Sequence, residues 1–329
     1  MTMAKRIGIK VAAVVLAAAG MLTACSSSGT PAGSASGASG SAPAKRLKIG
    51  VALPIIDEWL TTFENGIKDA AAKNNADVDV VSAEEKTDVQ VGQVENFVSS
   101  KVDALIVIAV DADATDPITE AAKANNIPLV YVNRKPTNFP EGVAFVGSDG
   151  LKAGTEQMTE LARIKGGKGN VAILQGTLGD FNTLKRTQGC KDVIAKNPGM
   201  QIVFEGSAGF YRDKAQSVTE NWLQTGKQID AICANNDEMA IGAINAIKAA
   251  GKKLGADGIA IGGIDATKDA LAAMKAGDLS VTMYQDGPGQ AAAAVEAAVD
   301  MAAGKTLDNY SVDVPFQLVT PQNVDKFIK

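Results

Sequence analysis

Short apolar runs recur along this chain, nearly every one followed by a helix-like segment, and few folds accept that rhythm. The runs are "LKIGVAL" (47–53), "VDVVSA", "ALIVIAV" (104–110), "LVYV" (129–132), "VAFVGS", "NVAILQG", "QIVFEGS", "DAICANN", "IAIGGID" and "LSVTMYQ". A strand apolar at successive positions must be covered on both faces, which points to parallel sheets layered with helices. Between the runs, residues 58–74 place Phe63, Ile67, Ala70 and Ala71 at helical spacing, and a second helix is predicted near 88–100. Asp116 and Pro117 stand where a third helix would have its first turn, and there proline's missing N–H costs nothing. The predicted fold class is α/β, and 329 residues suffice for two lobes with separate cores.

The predicted strands end in polar groups. "LVYVNRKP" runs from a buried strand straight into Asn133 and Arg134; other strands run into Asn235-Asn236-Asp237, Asp265 and Gln285. In open α/β sheets ligands sit in the crevice beyond the carboxyl ends of the strands, so these side chains are candidates for one binding cleft. Asn and Asp also favour helix caps and turns. Asp237, before "EMAIGAINAIKAA", therefore reads equally as a cap or a ligand-binding group, whereas capping explains little at Arg134 and Gln285.

Several chemistries are excluded. The chain has no histidine, which removes histidine general bases, Ser-His-Asp triads and the usual zinc sites. No phosphate-binding G-x-x-x-x-G-K-[ST], dinucleotide G-x-G-x-x-G or G-x-S-x-G motif is present, and "GGKGN" (166–170) reads as a turn into the next strand. Asp57 and Glu58 are adjacent carboxylates, but a glycosidase needs two that face each other across a bond. No cofactor or metal is called for.

The N-terminus reads as an address. "MTMAKRIGIK" is basic, and the uncharged stretch "VAAVVLAAAGMLTA" is too short to span a bilayer, as a secretory signal is. The letters "LTAC" resemble the lipobox of bacterial lipoproteins, which implies lipidation of Cys25 and residues 1–25 as a signal peptide. Residues 26–45, mostly Ser, Gly, Ala and Pro, form a flexible linker. Beyond Cys25 the chain holds 29 basic against 37 acidic groups, which argues against nucleic acid as a partner. Cys190 and Cys233 fall in a helical stretch and an apolar run and read as small buried residues; a disulfide between them is open in an oxidising compartment.

Taken in order, "IGVALPIIDEW", "DALIVIAVDADAT", "IPLVYVNR", "RTQG", "CANNDEMAIGA", "IGGIDAT" and "VTMYQ" resemble the ribose-binding group of type 1 periplasmic binding proteins, solute receptors of bacterial ABC importers. Stretches such as "DEWLT", "VDADATDPIT" and "FVGSDG" look closest to members that bind inositol and related polyols.

The resemblance implies two Rossmann-like lobes joined by a three-crossover hinge near 147–149, 285–287 and 312–316. Residues 46–148 plus 286–314 would form one lobe and 149–285 plus 315–329 the other. Carried over residue by residue, it implies ligand contacts from Asp57 and Trp59, Asn133 and Arg134, Arg186, Phe210 and Tyr211, Asn236, Asp265 and Gln285. The chemistry suits a polyol, because ionised side chains bind hydroxyls strongly and aromatic faces cover C–H surface. Trp59 and Phe210 also admit a reading as core filling. Where relatives carry Asn-Pro this chain has Ile108-Ala109, which removes one hydrogen-bonding side chain. The implied function is a non-enzymatic, monomeric receptor for a sugar or polyol, lipid-anchored outside the cytoplasmic membrane and serving ABC permease subunits. A receptor for chemotaxis or two-component sensing, and a secreted carbohydrate-active hydrolase, stay open as alternatives.

Overall fold

A computed structural model describes residues 45–307 and 310–328. The signal segment, Cys25 and nearly all of the linker lie outside them. The first sheet has the order β11-β5-β4-β3-β1-β2, all parallel, from β1 (Leu47–Leu53), β2 (Ala76–Ser82), β3 (Ala104–Val107), β4 (Leu129–Val132), β5 (Ala144–Gly147) and β11 (Ser311–Asp313). Alternate residues of each strand enter different cores. Val51, Ile106 and Val130 pack under α1 (Glu58–Lys73) and α9 (Gly287–Ala302). Ala52, Leu105, Val107 and Tyr131 pack under α2 (Thr87–Ser99) and α3 (Asp116–Ala124). Each fully buried Val, Ile or Leu of this kind contributes roughly 1.5–3 kcal/mol, which is why the strands read as unbroken apolar runs.

The predicted strand at 104–110 ends early, at Val107. Beyond it the backbone is claimed by side chains: Gln90 donates to Ile108 O (2.9 Å) and accepts from Val110 N (2.9 Å). The Arg134 guanidinium donates to Ala109 O and Val110 O (3.2 and 3.1 Å). Backbone groups held this way are unavailable to a neighbouring strand.

The second sheet is built likewise, in the order β7-β6-β8-β9, from β6 (Lys168–Gln175), β7 (Gly199–Ser207), β8 (Ala231–Ala234) and β9 (Ala260–Gly262). One face is covered by α4 (Gly150–Ile164) and α5 (Phe181–Ala195), the other by α6 (Arg212–Gln224), α7 (Asp237–Ala249) and α8 (Lys268–Lys275). Helices α4 and α5 approach closely because both are glycine at the contact: a Cβ on Gly154 would collide with the backbone carbonyl of Arg186, and one on Gly189 with that of Leu151. Cys190 on α5 and Cys233 on β8 are both fully buried and form a disulfide, so the pairing left open by the sequence is made here.

The chain passes between the sheets three times: from β5 to α4, from β10 (Thr282–Tyr284) to α9, and from β11 to β12 (Gln317–Val319), which pairs antiparallel with β10. The passages lie side by side. Ser148 Oγ donates to Val314 O and accepts from Gln290 Nε2 (2.8 Å), and the Trp59 indole N–H donates to Gln285 O (3.0 Å).

Candidate functional site

The carboxyl ends of both sheets open onto one cavity of about 280 Å³. All ten side chains singled out from the sequence line it: Asp57, Trp59, Asn133, Arg134, Arg186, Phe210, Tyr211, Asn236, Asp265 and Gln285. Ile108, at the departure from the relatives' Asn-Pro, adds an apolar wall.

Why β4 ends on Asn133 and Arg134 is visible in the backbone. Asn133 adopts a left-handed conformation (φ 63°), which asparagine tolerates better than most residues, and turns the chain out of the sheet. Its Oδ1 accepts from Asn182 Nδ2 (2.7 Å), at the start of α5 in the other lobe. The Arg134 Nε lies 3.1 Å from Asp180 Oδ2, also across the cleft, and its guanidinium carbon sits 5.9 Å from the Phe210 ring centre. Two other lining residues, Phe210 (φ 70°) and Asp265 (φ 127°), also have positive φ. Such conformations cost free energy and persist where the surroundings impose them, often at binding sites.

Arg186 is 4% exposed and lies at the centre of the second lobe's wall. Its Nη1 donates to Asn235 O (2.7 Å), its Nη2 to Gln285 Oε1 (2.7 Å), and Asp265 Oδ1 is 3.8 Å away. Burial pushes its pKa down, opposed chiefly by Asp265. Asp265 is pushed well up by burial, against the pull of Arg186. Asp57 is likewise raised by burial, although its carboxylate caps α1 by accepting from Leu60 N (2.7 Å). The Tyr211 hydroxyl donates to Glu85 Oε2 (2.9 Å), from the loop after β2; burial first, then Glu85, pushes its pKa up to about 12.

The ambiguous residues divide. Asn236 caps α7, accepting from Met239 N (3.0 Å), and still lines the cavity. Asp237 is absent from the lining: fully buried, it accepts from Thr282 Oγ1 (2.7 Å) and Thr267 N (2.9 Å) and pins the entry to α8. Trp59 serves both readings, stacked on Phe63 (5.9 Å between ring centres) in the core while facing the cavity.

Four polar lining residues went unremarked in the sequence: Glu85, Asn182, Arg212 and Glu238. Arg212 and Glu238 adjoin Tyr211 and Asp237, so proximity to named positions was the available signal there; Asn182 had no such neighbour. Glu85 sits in a loop with no pattern of its own.

A family model of the periplasmic binding protein domain matches residues 49–306. The chain is 40% identical to the putative rhizopine-binding protein of Rhizobium meliloti over 286 residues, 85% of this chain and 92% of that one. It is 34% identical to the xylitol-binding protein of Mycolicibacterium smegmatis over 283 residues, 86% and 79% of the two chains. Among solved structures, an ABC transporter solute-binding protein from Bacillus halodurans with bound myo-inositol superposes with a TM-score of 0.82 at 40% identity, covering 86% of this chain and 97% of the other.

Proposed function

This chain belongs to the type 1 periplasmic-binding-protein family, and on that footing we propose that it is the lipid-anchored binding component of an ABC importer for a sugar or polyol. The observation that carries this reading is the convergence of ten polar and aromatic side chains, from strand ends, loops and helix starts around both sheets, on one cavity of about 280 Å³. That volume sits at the small end of ligand pockets and suits a monosaccharide-sized solute. The similar proteins are named as binding proteins, and the chain has no histidine for a Ser-His-Asp centre.

Hydroxyls both donate and accept, so a polyol can satisfy carboxylates and guanidiniums together. Asp57, Asp265 and Gln285 supply acceptors, Arg134 and Arg186 donors, and Trp59 and Phe210 cover the carbon skeleton. A solute lacking one of those hydroxyls leaves a buried group unpaired, which is the source of specificity. The lobes, residues 46–148 plus 286–314 and 149–285 plus 315–329, rotate about the three crossovers. Arg134–Asp180, Asn133–Asn182 and Tyr211–Glu85 then close across the ligand. The lipid on Cys25 and the linker keep the receptor beside its permease.

The test is thermal unfolding of the protein against pentoses, hexoses, inositols and linear polyols. A ligand at a thousand times its Kd adds about 4 kcal/mol of stability, a shift on the order of 10 °C. A shift with one hydroxyl pattern and not its epimers is the expected outcome; no shift with any member overturns the reading.

A further inference from the structure

A second cavity, of about 470 Å³, adjoins the first. The two share a wall, because Glu58, Trp59, Asp265 and Gln285 line both. The character of the second is different. Trp59, Tyr284 and Phe327 give it three aromatic side chains, and Leu271, Pro288 and Ile328 extend the apolar surface. Tyr284 and Phe327 pack with ring centres 5.3 Å apart, and Ile328 is 45% exposed. Large apolar side chains gathered in one open concavity are uncommon on a soluble chain and mark a place of interaction. An apolar concavity of this size with few polar groups has the make-up of a small-molecule site.

Most polar groups in its wall are already engaged. The Trp59 N–H donates to Gln285 O (3.0 Å), and Gln285 Oε1 accepts from Arg186 (2.7 Å). Thr267 Oγ1 caps α8 by accepting from Ala270 N (3.3 Å), and Lys275 pairs with Asp325 (2.6 Å). Thr62 and Lys268 are exposed and stay solvated. Glu58 is the exception: its Oε2 is buried and finds no hydrogen-bond partner among the described residues. A buried acceptor without a donor costs free energy that a ligand's N–H or O–H would recover.

The walls belong to both lobes. Helix α1 and the start of α9 come from one; α8, Phe327 and Ile328 come from the other. The cavity has this shape while Arg134–Asp180 and Asn133–Asn182 are joined across the polyol cleft. We propose that it is a second ligand site, for a flat, mainly apolar aromatic molecule that carries one N–H or O–H donor. The rings lie against Trp59, Tyr284 and Phe327, and the donor bonds Glu58. A ligand that touches walls of both lobes favours the closed arrangement, so it and the polyol strengthen each other's binding. That coupling rests on the polyol reading above; the site does not.

The experiment is fluorescence titration with N-phenyl-1-naphthylamine, whose emission rises in apolar surroundings, with no polyol present. Saturable binding is expected. Ala272→Trp fills the cavity from an exposed position on α8, and it should weaken the probe at least about tenfold while sparing polyol-induced stabilisation. 2-Naphthol should displace the probe at a concentration at least about fivefold lower than 2-methoxynaphthalene, which has no donor, a comparison that needs no variant. A polyol that raises Tm should tighten the probe at least about fivefold, and Asp180→Asn, remote from the cavity, should loosen it. No saturable binding, or binding that Ala272→Trp leaves untouched, would overturn the site. Equal displacement by the two naphthalenes would overturn the part given to Glu58. Probe affinity indifferent to both polyol and Asp180→Asn would overturn the coupling. If no polyol raised Tm, the receptor reading would fall while the site, read without polyol, would stand.

Discussion

Replacing Arg186 by methionine removes the charge at the centre of the site while keeping an unbranched, shorter apolar stem. The guanidinium makes two 2.7 Å hydrogen bonds, to Asn235 O and to Gln285 Oε1, and faces Asp265 at 3.8 Å. Hydrogen bonds to a charged group contribute about 1.5–3 kcal/mol each, and breaking a buried ion pair from one side costs about 3–5 kcal/mol. Two effects offset the loss. The variant no longer desolvates a guanidinium whose Nε finds no partner among the described residues. Asp265, already pushed up by burial, can also take a proton once Arg186 is gone. The net cost is about 2–4 kcal/mol, a fall in Tm of roughly 3–7 °C for a chain of this size. The loss should depend on pH. A carboxyl whose folded pKa lies above its unfolded value stabilises the fold at low pH and loses that contribution as pH rises from the unfolded toward the folded value. Without Arg186 the pKa of Asp265 rises further, so the variant should lose more at pH 8 than at pH 5. The assay is circular-dichroism melting at both pH values, with and without ligand. A Tm unchanged within a degree or two, with the ligand-induced shift retained, would refute the role given to this residue.

Three further expectations follow from other parts of the molecule. Asp180→Asn keeps a cap for α5 but removes the charge that holds Arg134 across the cleft, so the closed fraction and with it ligand affinity should fall about tenfold by calorimetry; unchanged affinity would mean the pair does not contribute to closure. Reducing Cys190–Cys233, which are 43 residues apart, or replacing both by serine, should cost up to about 4 kcal/mol in denaturant titrations by loop entropy. A reduced protein as stable as the oxidised one would contradict that. Cys25→Ser should move the protein from the membrane to the soluble fraction of cells, and retention at the membrane would remove the lipid anchor from the proposal.

How much was legible follows from how far each feature reaches along the chain. Strands apolar on both faces, helices between them, and polar residues at strand ends are written in neighbouring letters. "LVYVNRKP" already contains a buried strand and, in Asn133, a residue suited to the left-handed turn that ends it. The convergence of those ends on a cavity follows from the rule for parallel sheets and covers Asn133, Arg134, Asn236, Asp265 and Gln285, whereas Asp57, Trp59, Arg186, Phe210 and Tyr211 were named through the family resemblance. Features set by residues distant in sequence stayed hidden. The early end of β3 depends on Gln90 and Arg134 reaching its backbone from other elements. The Asp180 that answers Arg134, the Glu85 that answers Tyr211, and the Cys233 that meets Cys190 each lie on a different element from their partner. Such pairs are made only when elements distant in sequence pack together, and no periodicity encodes them. Local sterics and alternation determine what each segment becomes, whereas the balance of charge in the cavity exists only once both lobes face each other.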